Sequence, residues 1–195
     1  VNPLGISPLF RESLIRHVDA VCTYPDRDYK SLRSTLSLYA RIPMEHIIVG
    51  NGVTELISLT MHLLRPKKAL LLSPTYSEYM REISMIGGTC LEYNLKESSD
   101  FCLDIEDLKH SLTDDVDLFA FCNPNNPTGE LTDREMLLKL SQKCREHQVF
   151  FAVDECFLDF VPKGQDYELA GCLKYNRHIF LLKAFTKRYA MAGLR

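Results

Sequence analysis

The sequence lacks several features that mark particular classes of protein. Basic residues do not outnumber acidic ones, since 23 lysines and arginines stand against 26 aspartates and glutamates, for a formal net charge of -3. Binding to a nucleic-acid backbone needs a basic excess, so no nucleic-acid partner is expected. No apolar stretch approaches the roughly 20 residues that span a bilayer, and no basic and then apolar leader opens the chain, so no membrane partner is expected either.

Zinc-ligand spacing and a disulfide framework are also missing. The seven cysteines are an odd number, are widely spaced, form no CxxC pair and have no histidine nearby at ligand spacing. We therefore predict no metal site, and we interpret the cysteines as reduced thiols of a cytoplasmic protein. Several lie in apolar runs, such as Cys122 in DLFAFCN, where a buried cysteine packs as a small hydrophobic side chain.

Short apolar runs alternate with helical patterns along the chain. This alternation predicts an α/β domain whose largely parallel sheet is covered on both faces. Five runs indicate buried strands: Ile47–Val49, Ala69–Leu72, Leu118–Phe121, Phe150–Val153 and Ile179–Leu182.

Three stretches have the spacing of amphipathic helices. In Lys30–Ala40 the apolar residues Leu32, Leu36 and Tyr39 recur at helical spacing. In the segment after Thr54, Leu56, Leu59 and Leu63 do the same. The third helix is expected over Asp133 to His147, with Thr132 as N-cap and Glu135 completing a capping box.

Residues 1–25 have a different character, because NPLG, SP and YP place prolines at short intervals. They predict an extended arm that flanks one short helix, Pro8–Val18. Residues 26–195 are then expected to form one domain. The chain starts without Met and ends at Arg195 in a glycine-containing loop, so we expect both ends to be cut from a longer protein.

Lys187 follows the predicted strand IFLLK and a short polar step, and it precedes RYAMAGLR. A lone lysine is usually solvated surface. Here Gly193 allows close backbone approach, and Arg195 offers a guanidinium that pairs with phosphate through two hydrogen bonds. A lysine amine at the mouth of a sheet beside an anion-binding arginine is what a Schiff-base site needs.

Asp154 ends the strand FFAV, at the carboxyl end of the predicted sheet where open α/β sheets bind ligands. Its alternative role is that of a helix N-cap. Together with Lys187 it suggests a carboxylate beside a pyridine nitrogen, which keeps that nitrogen protonated so that the ring accepts electrons from a substrate carbanion.

Three further segments follow predicted strands. NPNNPTG (residues 123–129) has too much turn chemistry for a simple link, so it is either a rigid turn or a shaped loop in which Asn126 contacts a cofactor and the substrate. GNGVTE presents backbone N–H groups of Gly52, Val53 and Thr54 at a helix N-terminus, which favours an anion, although most glycine loops are only turns. Tyr76 of PTY is either a core side chain or a ring that stacks on a flat cofactor.

In this order, these motifs resemble the class I/II aminotransferase superfamily, the pyridoxal 5′-phosphate (PLP) enzymes of fold type I. The resemblance runs from NPLG to AGLR, with AFTKRYAMAGLR similar to the lysine motif, NPNNPTG to the asparagine loop and VDE to the aspartate. It implies a three-layer PLP-binding large domain with a mostly parallel sheet, incomplete at its C-terminal end and without the C-terminal small domain.

The resemblance also implies roles for individual residues. Lys187 forms the Schiff base with PLP and moves the proton at Cα, Asp154 pairs with the pyridinium nitrogen, and Asn126 bonds the ring hydroxyl. Tyr76 stacks on the ring, and Asn126 and Asn2 contact substrate. Phosphate is held by Gly52, Val53, Thr54, Thr186 and Arg195, and by Tyr24 of the neighbouring subunit in a homodimer.

Two departures concern hydroxyl groups. Phe157 stands where many relatives have Tyr, which removes one hydrogen bond to the ring oxygen, and Ala184 stands where Ser or Thr often helps to hold phosphate. The loss of one such bond weakens binding by roughly 1 kcal/mol.

NPLG, YPDRDY, DECFLDFVP and FTKRYAMAGLR look more similar to threonine-phosphate decarboxylases of cobalamin synthesis than to histidinol-phosphate aminotransferases. The resemblance thus implies a phosphorylated amino-acid substrate and decarboxylation of O-phospho-L-threonine. Transamination of histidinol phosphate remains an alternative, and a non-catalytic PLP-fold regulator or scaffold is a third, because a fold does not determine function.

Overall fold

The computed structural model describes residues 1–194. Its contacts divide the chain into two compact units. The first unit comprises residues 1–52 together with the residues from Phe185 onward, and the second comprises residues 53–184.

The second unit contains a five-stranded sheet in which every strand pairs in parallel with its neighbours. The strands are β1 Lys68–Ser73, β2 Thr89–Asn94, β3 Leu118–Cys122, β4 Phe150–Asp154 and β5 Ile179–Leu182, in the spatial order β2-β1-β3-β4-β5. The predicted α/β class is confirmed, and four of the five predicted strands lie within β1, β3, β4 and β5.

Seven α-helices accompany the sheet among residues 1–194, together with short 3₁₀ turns. They are α1 Pro8–Arg16, α2 Lys30–Ala40, α3 Val53–Leu64, α4 Ser77–Met85, α5 Ile105–Leu108, α6 Arg134–Glu146 and α7 Phe185–Arg188. Helices α1, α2 and α7 belong to the first unit and α3 to α6 to the second.

The core of the second unit lies on both faces of the sheet, as the continuous apolar strands predict. Successive residues of a strand point to opposite faces. Phe119, Phe121 and Phe151 therefore pack on one side with the apolar residues of α5 and α6. On the other side, Leu71 and Ala120 pack with the buried residues of α3 and α4.

The direction in which successive strands are added to the sheet reverses between β1 and β3. From β1 the chain moves outward to β2, then returns to the other side of β1 and continues through β3, β4 and β5. At such a reversal the loops after the two central strands diverge and leave a crevice at the carboxyl edge, where open α/β sheets bind ligands. These loops begin after Ser73 and after Cys122, and they carry Tyr76 and Asn126.

The predicted strand Ile47–Val49 was wrong. Ile47 has extended backbone angles, but within residues 1–194 the segment joins no sheet, and Ile48 is 78% exposed. An extended segment becomes a strand only when a neighbouring strand receives its hydrogen bonds. Conversely, strand β2 was not predicted. It is an edge strand whose residues are exposed or half-buried, and its sequence contains no continuous apolar run of the kind that indicates a buried strand.

The helix after Thr54 is confirmed, but its buried face was misassigned. Ile57 and Met61 are buried, whereas Leu59 and Leu63 are exposed. The sequence LISLTMHLL contains two apolar stripes at helical spacing, and the period alone does not select between them.

The N-cap of α6 is Asp133 rather than Thr132. The Asp133 side chain accepts a hydrogen bond from the Met136 N–H, and Glu135 pairs with Lys139 instead of completing a capping box. The backbone of Thr132 is bound to the Asn123 side chain and so belongs to the preceding loop.

The N-terminal segment is more helical than predicted. Helix α1 begins at Pro8 as expected but ends at Arg16, and a 3₁₀ helix covers Val18–Cys22 where an extended arm was expected. The Ser7 hydroxyl caps α1 by accepting from the Phe10 N–H, and the first-turn proline needs no hydrogen bond.

All seven cysteines are free thiols in the structure, and Cys122, Cys144 and Cys156 are buried. The apolar run around Cys122 predicted the burial of that residue. In the part of the chain that the structure describes, no helix combines the length and the apolar character that a membrane span requires.

Candidate active site

Asp154 is the last residue of β4 and is only 4% exposed. Both of its carboxylate oxygens are bonded: Oδ1 accepts the Cys156 N–H at 2.8 Å, and Oδ2 accepts the Tyr79 hydroxyl at 2.5 Å. The 3₁₀ turn that follows has Phe157 at its N-cap position, so Asp154 does not cap a helix. A buried carboxylate held by two donors at a strand end is suited to pair with a cationic ring nitrogen.

Tyr79 was not singled out from the sequence. It lies on α4, three residues after Tyr76, and it is 1% exposed. Burial, and after it the charge of Asp154, raises the pKa of the Tyr79 phenol well above its ordinary value, so that the phenol donates its proton in a hydrogen bond. The spacing TYSEY offered a signal, because residues three apart on a helix are neighbours.

The loop after β3 is held by two of its three asparagines. The Asn123 side chain donates to the Thr132 carbonyl at 3.0 Å and accepts the Thr132 N–H at 2.8 Å, which closes the loop. The Asn125 side chain donates to the Pro74 carbonyl and the Thr128 hydroxyl and accepts the Thr75 hydroxyl, which ties this loop to the one after β1. Both side chains therefore use their hydrogen bonds to hold the loop in its conformation.

Asn126 differs from these two asparagines. It is partly exposed, and within residues 1–194 its side-chain amide makes no hydrogen bond. Because its neighbours fix the backbone on both sides, this amide is presented by a rigid loop. The contacts of Asn123 and Asn125 agree with a rigid turn, and a ligand contact of the Asn126 amide stays a prediction.

Tyr76 lies at the N-cap position of α4, in the loop tied to Asn125. Its ring meets that of Tyr79 edge to face, with centroids 5.6 Å apart and an angle of 85° between the planes. The ring is partly exposed and packs with its other part against the core residues on this face of the sheet. The second unit therefore brings together Tyr76, Asn126 and Asp154 at the carboxyl edge of the sheet.

Helix α3 begins at Val53, so Val53 and Thr54 form its first turn. First-turn N–H groups have no acceptor within their own helix, and the helix dipole favours an anion there. The preceding residue, Gly52, has a φ of 88°, a left-handed conformation that glycine adopts without strain. The helix therefore begins where the sequence predicted a turn with free N–H groups, and the binding of an anion there stays a prediction.

Lys187 and Thr186 lie on α7 in the first unit. The Asn2 N–H donates to the Lys187 carbonyl at 2.8 Å, and the Asn2 side chain donates to the Arg188 carbonyl at 2.9 Å. Asn2 therefore ties the N-terminal segment to the end of the lysine helix. Tyr24 is fully exposed, and Arg195 lies outside the described residues.

Glu155, next to Asp154, belongs to a separate buried ion group. Lys183 Nζ lies 3.0 Å from Glu155 Oε2 and 2.6 Å from Glu168 Oε1. Burial raises the pKa of Glu155, and the nearby Lys183 charge opposes that shift. Because the Glu155 N–H also donates to the Leu182 carbonyl, this group fastens the end of β4 to the end of β5.

The sequence model of the aminotransferase class I and II family matches residues 12–195. The chain belongs to this family. Enzymes of the class I and II aminotransferase family depend on PLP.

Individual aminotransferase-family relatives match along the whole chain. It is 35% identical over 195 residues to the threonine-phosphate decarboxylase of Salmonella typhimurium, covering all of this chain and 53% of that protein. It is also 35% identical over 200 residues to a histidinol-phosphate aminotransferase of Desulfitobacterium hafniense, covering 54% of that protein.

Among solved structures, the histidinol-phosphate aminotransferase from Clostridium acetobutylicum superposes with a TM-score of 0.88 at 31% identity. The match covers all of this chain and 56% of that one. The chain thus spans about half the length of the relatives it matches. The predicted fold type I architecture, with its mostly parallel sheet, is confirmed.

The side chains present fit PLP. A buried carboxylate suits the ring nitrogen, a partly exposed aromatic ring suits the ring face, and an amide without a partner among residues 1–194 suits the ring oxygen. An α-helix that starts with Val53 and Thr54 suits the phosphate.

The two adjacent asparagines provide a test of this assignment. We expect Asn126→Ala to weaken PLP binding about tenfold, since one or two hydrogen bonds are lost, with no change in the free energy of unfolding. Asn125→Ala is expected to lower the free energy of unfolding by about 1–3 kcal/mol, because it removes three hydrogen bonds of a buried side chain to half-buried partners.

PLP titration and urea unfolding of both variants in the full-length protein separate these outcomes. Equal destabilisation by both substitutions, with unchanged PLP affinity in Asn126→Ala, would assign Asn126 to the loop alone.

Proposed function

We propose that the full-length protein is a PLP-dependent enzyme that decarboxylates O-phospho-L-threonine to aminopropanol phosphate in cobalamin biosynthesis. The observation that carries the PLP assignment is the group of Asp154, Asn126 and Tyr76 at the carboxyl edge of the sheet, beside the chain reversal. The match to the Salmonella threonine-phosphate decarboxylase supports the choice of substrate.

In this proposal each residue has a distinct role toward the cofactor. Lys187 bonds covalently to the cofactor aldehyde, and Asp154 holds a proton on the ring nitrogen by its charge. Asn126 donates to the ring oxygen, and Tyr76 covers the ring face. Gly52, Val53, Thr54, Thr186 and Arg195 bind the phosphate, through backbone N–H groups at the start of α3 and through the Arg195 guanidinium.

When bound, PLP supplies an electron sink for the pair of electrons released at the substrate Cα. The Cα–carboxylate bond breaks, carbon dioxide leaves, and Lys187 returns a proton to Cα. The substrate must be held with the Cα–carboxylate bond perpendicular to the ring, so that this bond breaks rather than the Cα–H bond. We propose that Asn126 and Asn2 contribute to this orientation.

The second candidate is a histidinol-phosphate aminotransferase. It is favoured by the 35% identity to the Desulfitobacterium enzyme and by the superposition on the Clostridium enzyme. Transamination breaks the Cα–H bond, so Lys187 removes a proton from Cα instead of returning one there. A third possibility is a PLP-fold regulator or scaffold without catalysis; of these two, a scaffold is expected to form no covalent lysine–cofactor bond.

Two assays on one preparation of the full-length protein separate these candidates. We expect O-phospho-L-threonine alone to yield carbon dioxide and aminopropanol phosphate without a keto-acid acceptor. Histidinol phosphate with 2-oxoglutarate is expected to yield no glutamate.

Glutamate from the second pair, without carbon dioxide from the first, would select the aminotransferase. A protein that shows no cofactor absorbance band sensitive to borohydride after incubation with PLP would be a scaffold, and the PLP proposal would be abandoned.

We also propose a homodimer in which Tyr24 reaches the cofactor phosphate of the partner subunit. The complete exposure of the Tyr24 ring leaves it available to a second copy of the chain. Analytical ultracentrifugation of the active full-length protein provides the test, since a sedimenting monomer with full activity contradicts the shared site.

A further inference from the structure

Tyr79 contacts two residues of the proposed cofactor site at once. Its hydroxyl donates to Asp154 Oδ2 at 2.5 Å, and the edge-to-face contact with Tyr76 joins its ring to the one proposed to cover the cofactor. The phenol and the carboxylate come from α4 and β4, 75 positions apart in the chain, and both are buried. This pairing is therefore a product of the tertiary fold.

The phenol restricts the orientation of the carboxylate. Oδ1 is already fixed by the Cys156 N–H, so a second hydrogen bond at Oδ2 prevents rotation of the carboxylate. Each carboxylate oxygen accepts more than one hydrogen bond, and Oδ2 keeps capacity for a further donor.

Besides Asp154, the described residues whose charges act on the Tyr79 phenol are the thiols Cys122 and Cys156. Burial, followed by the charge of Asp154, raises the pKa of Cys122 on β3 to about 12, so this thiol is neutral near pH 7. Cys156 is buried in the turn after β4. Within the second unit, the Asp154 carboxylate accepts hydrogen bonds from the Tyr79 phenol and the Cys156 backbone N–H.

We propose that Tyr79 is a positioning residue that holds the Asp154 carboxylate in the correct orientation toward the cofactor ring nitrogen. This inference rests on the proposed function, because it assigns Tyr79 a task only if Asp154 pairs with PLP. A rotated Asp154 carboxylate would not face the pyridinium nitrogen.

The first experiment measures PLP affinity of the full-length protein by spectroscopic titration. Tyr79→Phe removes the hydroxyl and keeps the ring, and we expect it to weaken PLP binding about ten- to hundredfold, the range for a lost hydrogen bond to a charged group. The absorbance spectrum of the bound cofactor, which reports ring protonation, is expected to change as well.

Tyr93→Phe is the matched control. The Tyr93 hydroxyl also donates to a carboxylate, that of Asp107 at 2.9 Å, in the same unit but away from the proposed site. We expect unchanged PLP affinity and spectrum. Far-UV circular dichroism and thermal unfolding of both apo variants establish that they are folded.

A double-mutant cycle separates positioning from a structural role. If Tyr79 acts through Asp154, then Tyr79→Phe changes PLP affinity less than about twofold in the Asp154→Asn background. An undiminished effect in that background would overturn the inference, as would equal PLP affinities of Tyr79→Phe and Tyr93→Phe. If the wild-type protein and Tyr93→Phe both fail to bind PLP, the proposed function fails first, and the inference with it.

Discussion

Replacing Lys187 with alanine is expected to abolish the covalent bond to PLP and to lower turnover at least about a thousandfold. Two contributions add to this loss, because the amine is both the nucleophile that anchors the cofactor and the group that moves the proton at Cα. Folding is expected to be preserved, since α7 is a short helix whose side chains are not buried. The measurements are the borohydride-sensitive absorbance band and steady-state turnover.

Two control variants accompany this prediction. Lys187→Arg keeps a positive charge, but a guanidinium stays protonated and does not form the covalent bond, so we expect it to be as inactive as the alanine variant. Lys174→Ala removes an exposed lysine of the second unit, and we expect it to leave both the borohydride-sensitive absorbance band and the turnover unchanged. Activity of a few per cent or more in Lys187→Ala would remove this residue from the mechanism.

Replacing Asp154 with asparagine is expected to lower turnover by about a hundred- to thousandfold, while PLP affinity falls by a smaller factor. The amide has the same shape as the carboxylate and still accepts the Cys156 N–H, so the turn after β4 is expected to persist. What is lost is the negative charge that keeps the ring nitrogen protonated during carbanion formation. Turnover and PLP affinity, measured on the same preparation, separate the two effects.

Asp159→Asn is the control for this substitution, since it neutralises an exposed carboxylate five residues further along the same loop. We expect it to be fully active. Near-wild-type turnover in Asp154→Asn would contradict the ring-nitrogen role and would leave Asp154 as a structural partner of Tyr79.

Much of the site could be predicted because its residues follow strands. In a parallel sheet the carboxyl ends of all strands lie at one edge, so the positions of Tyr76, Asn126 and Asp154 at or after predicted strand ends placed them at that edge from the sequence alone. The strand order then added the reversal between β1 and β3, which places Tyr76 and Asn126 beside the crevice. That order depends on long-range pairing and is not contained in any local pattern.

Other features were not predictable from local patterns. The three asparagines of NPNNPTG have the same chemistry, and only the contacts to Thr75, Thr128 and Thr132 show that Asn123 and Asn125 serve the loop. The buried face of α3 was misassigned because two apolar stripes fit one helix, and the sheet decided between them. The edge strand β2 was not predicted because its sequence TCLEYN is not a continuous apolar run and its residues are exposed or half-buried.

The sequence by itself determined the fold class and the family, and it singled out Lys187, Asp154 and Asn126 as candidate site residues, because the alternation of apolar runs and short motifs are local properties. The tertiary structure decided which side chains are buried and which polar groups are paired. Tyr79 shows the difference. Its phenol donates a hydrogen bond to Asp154, 75 positions away, because α4 packs on the sheet beside the end of β4. A hydrogen bond depends on distance in space, and folding alone creates that proximity.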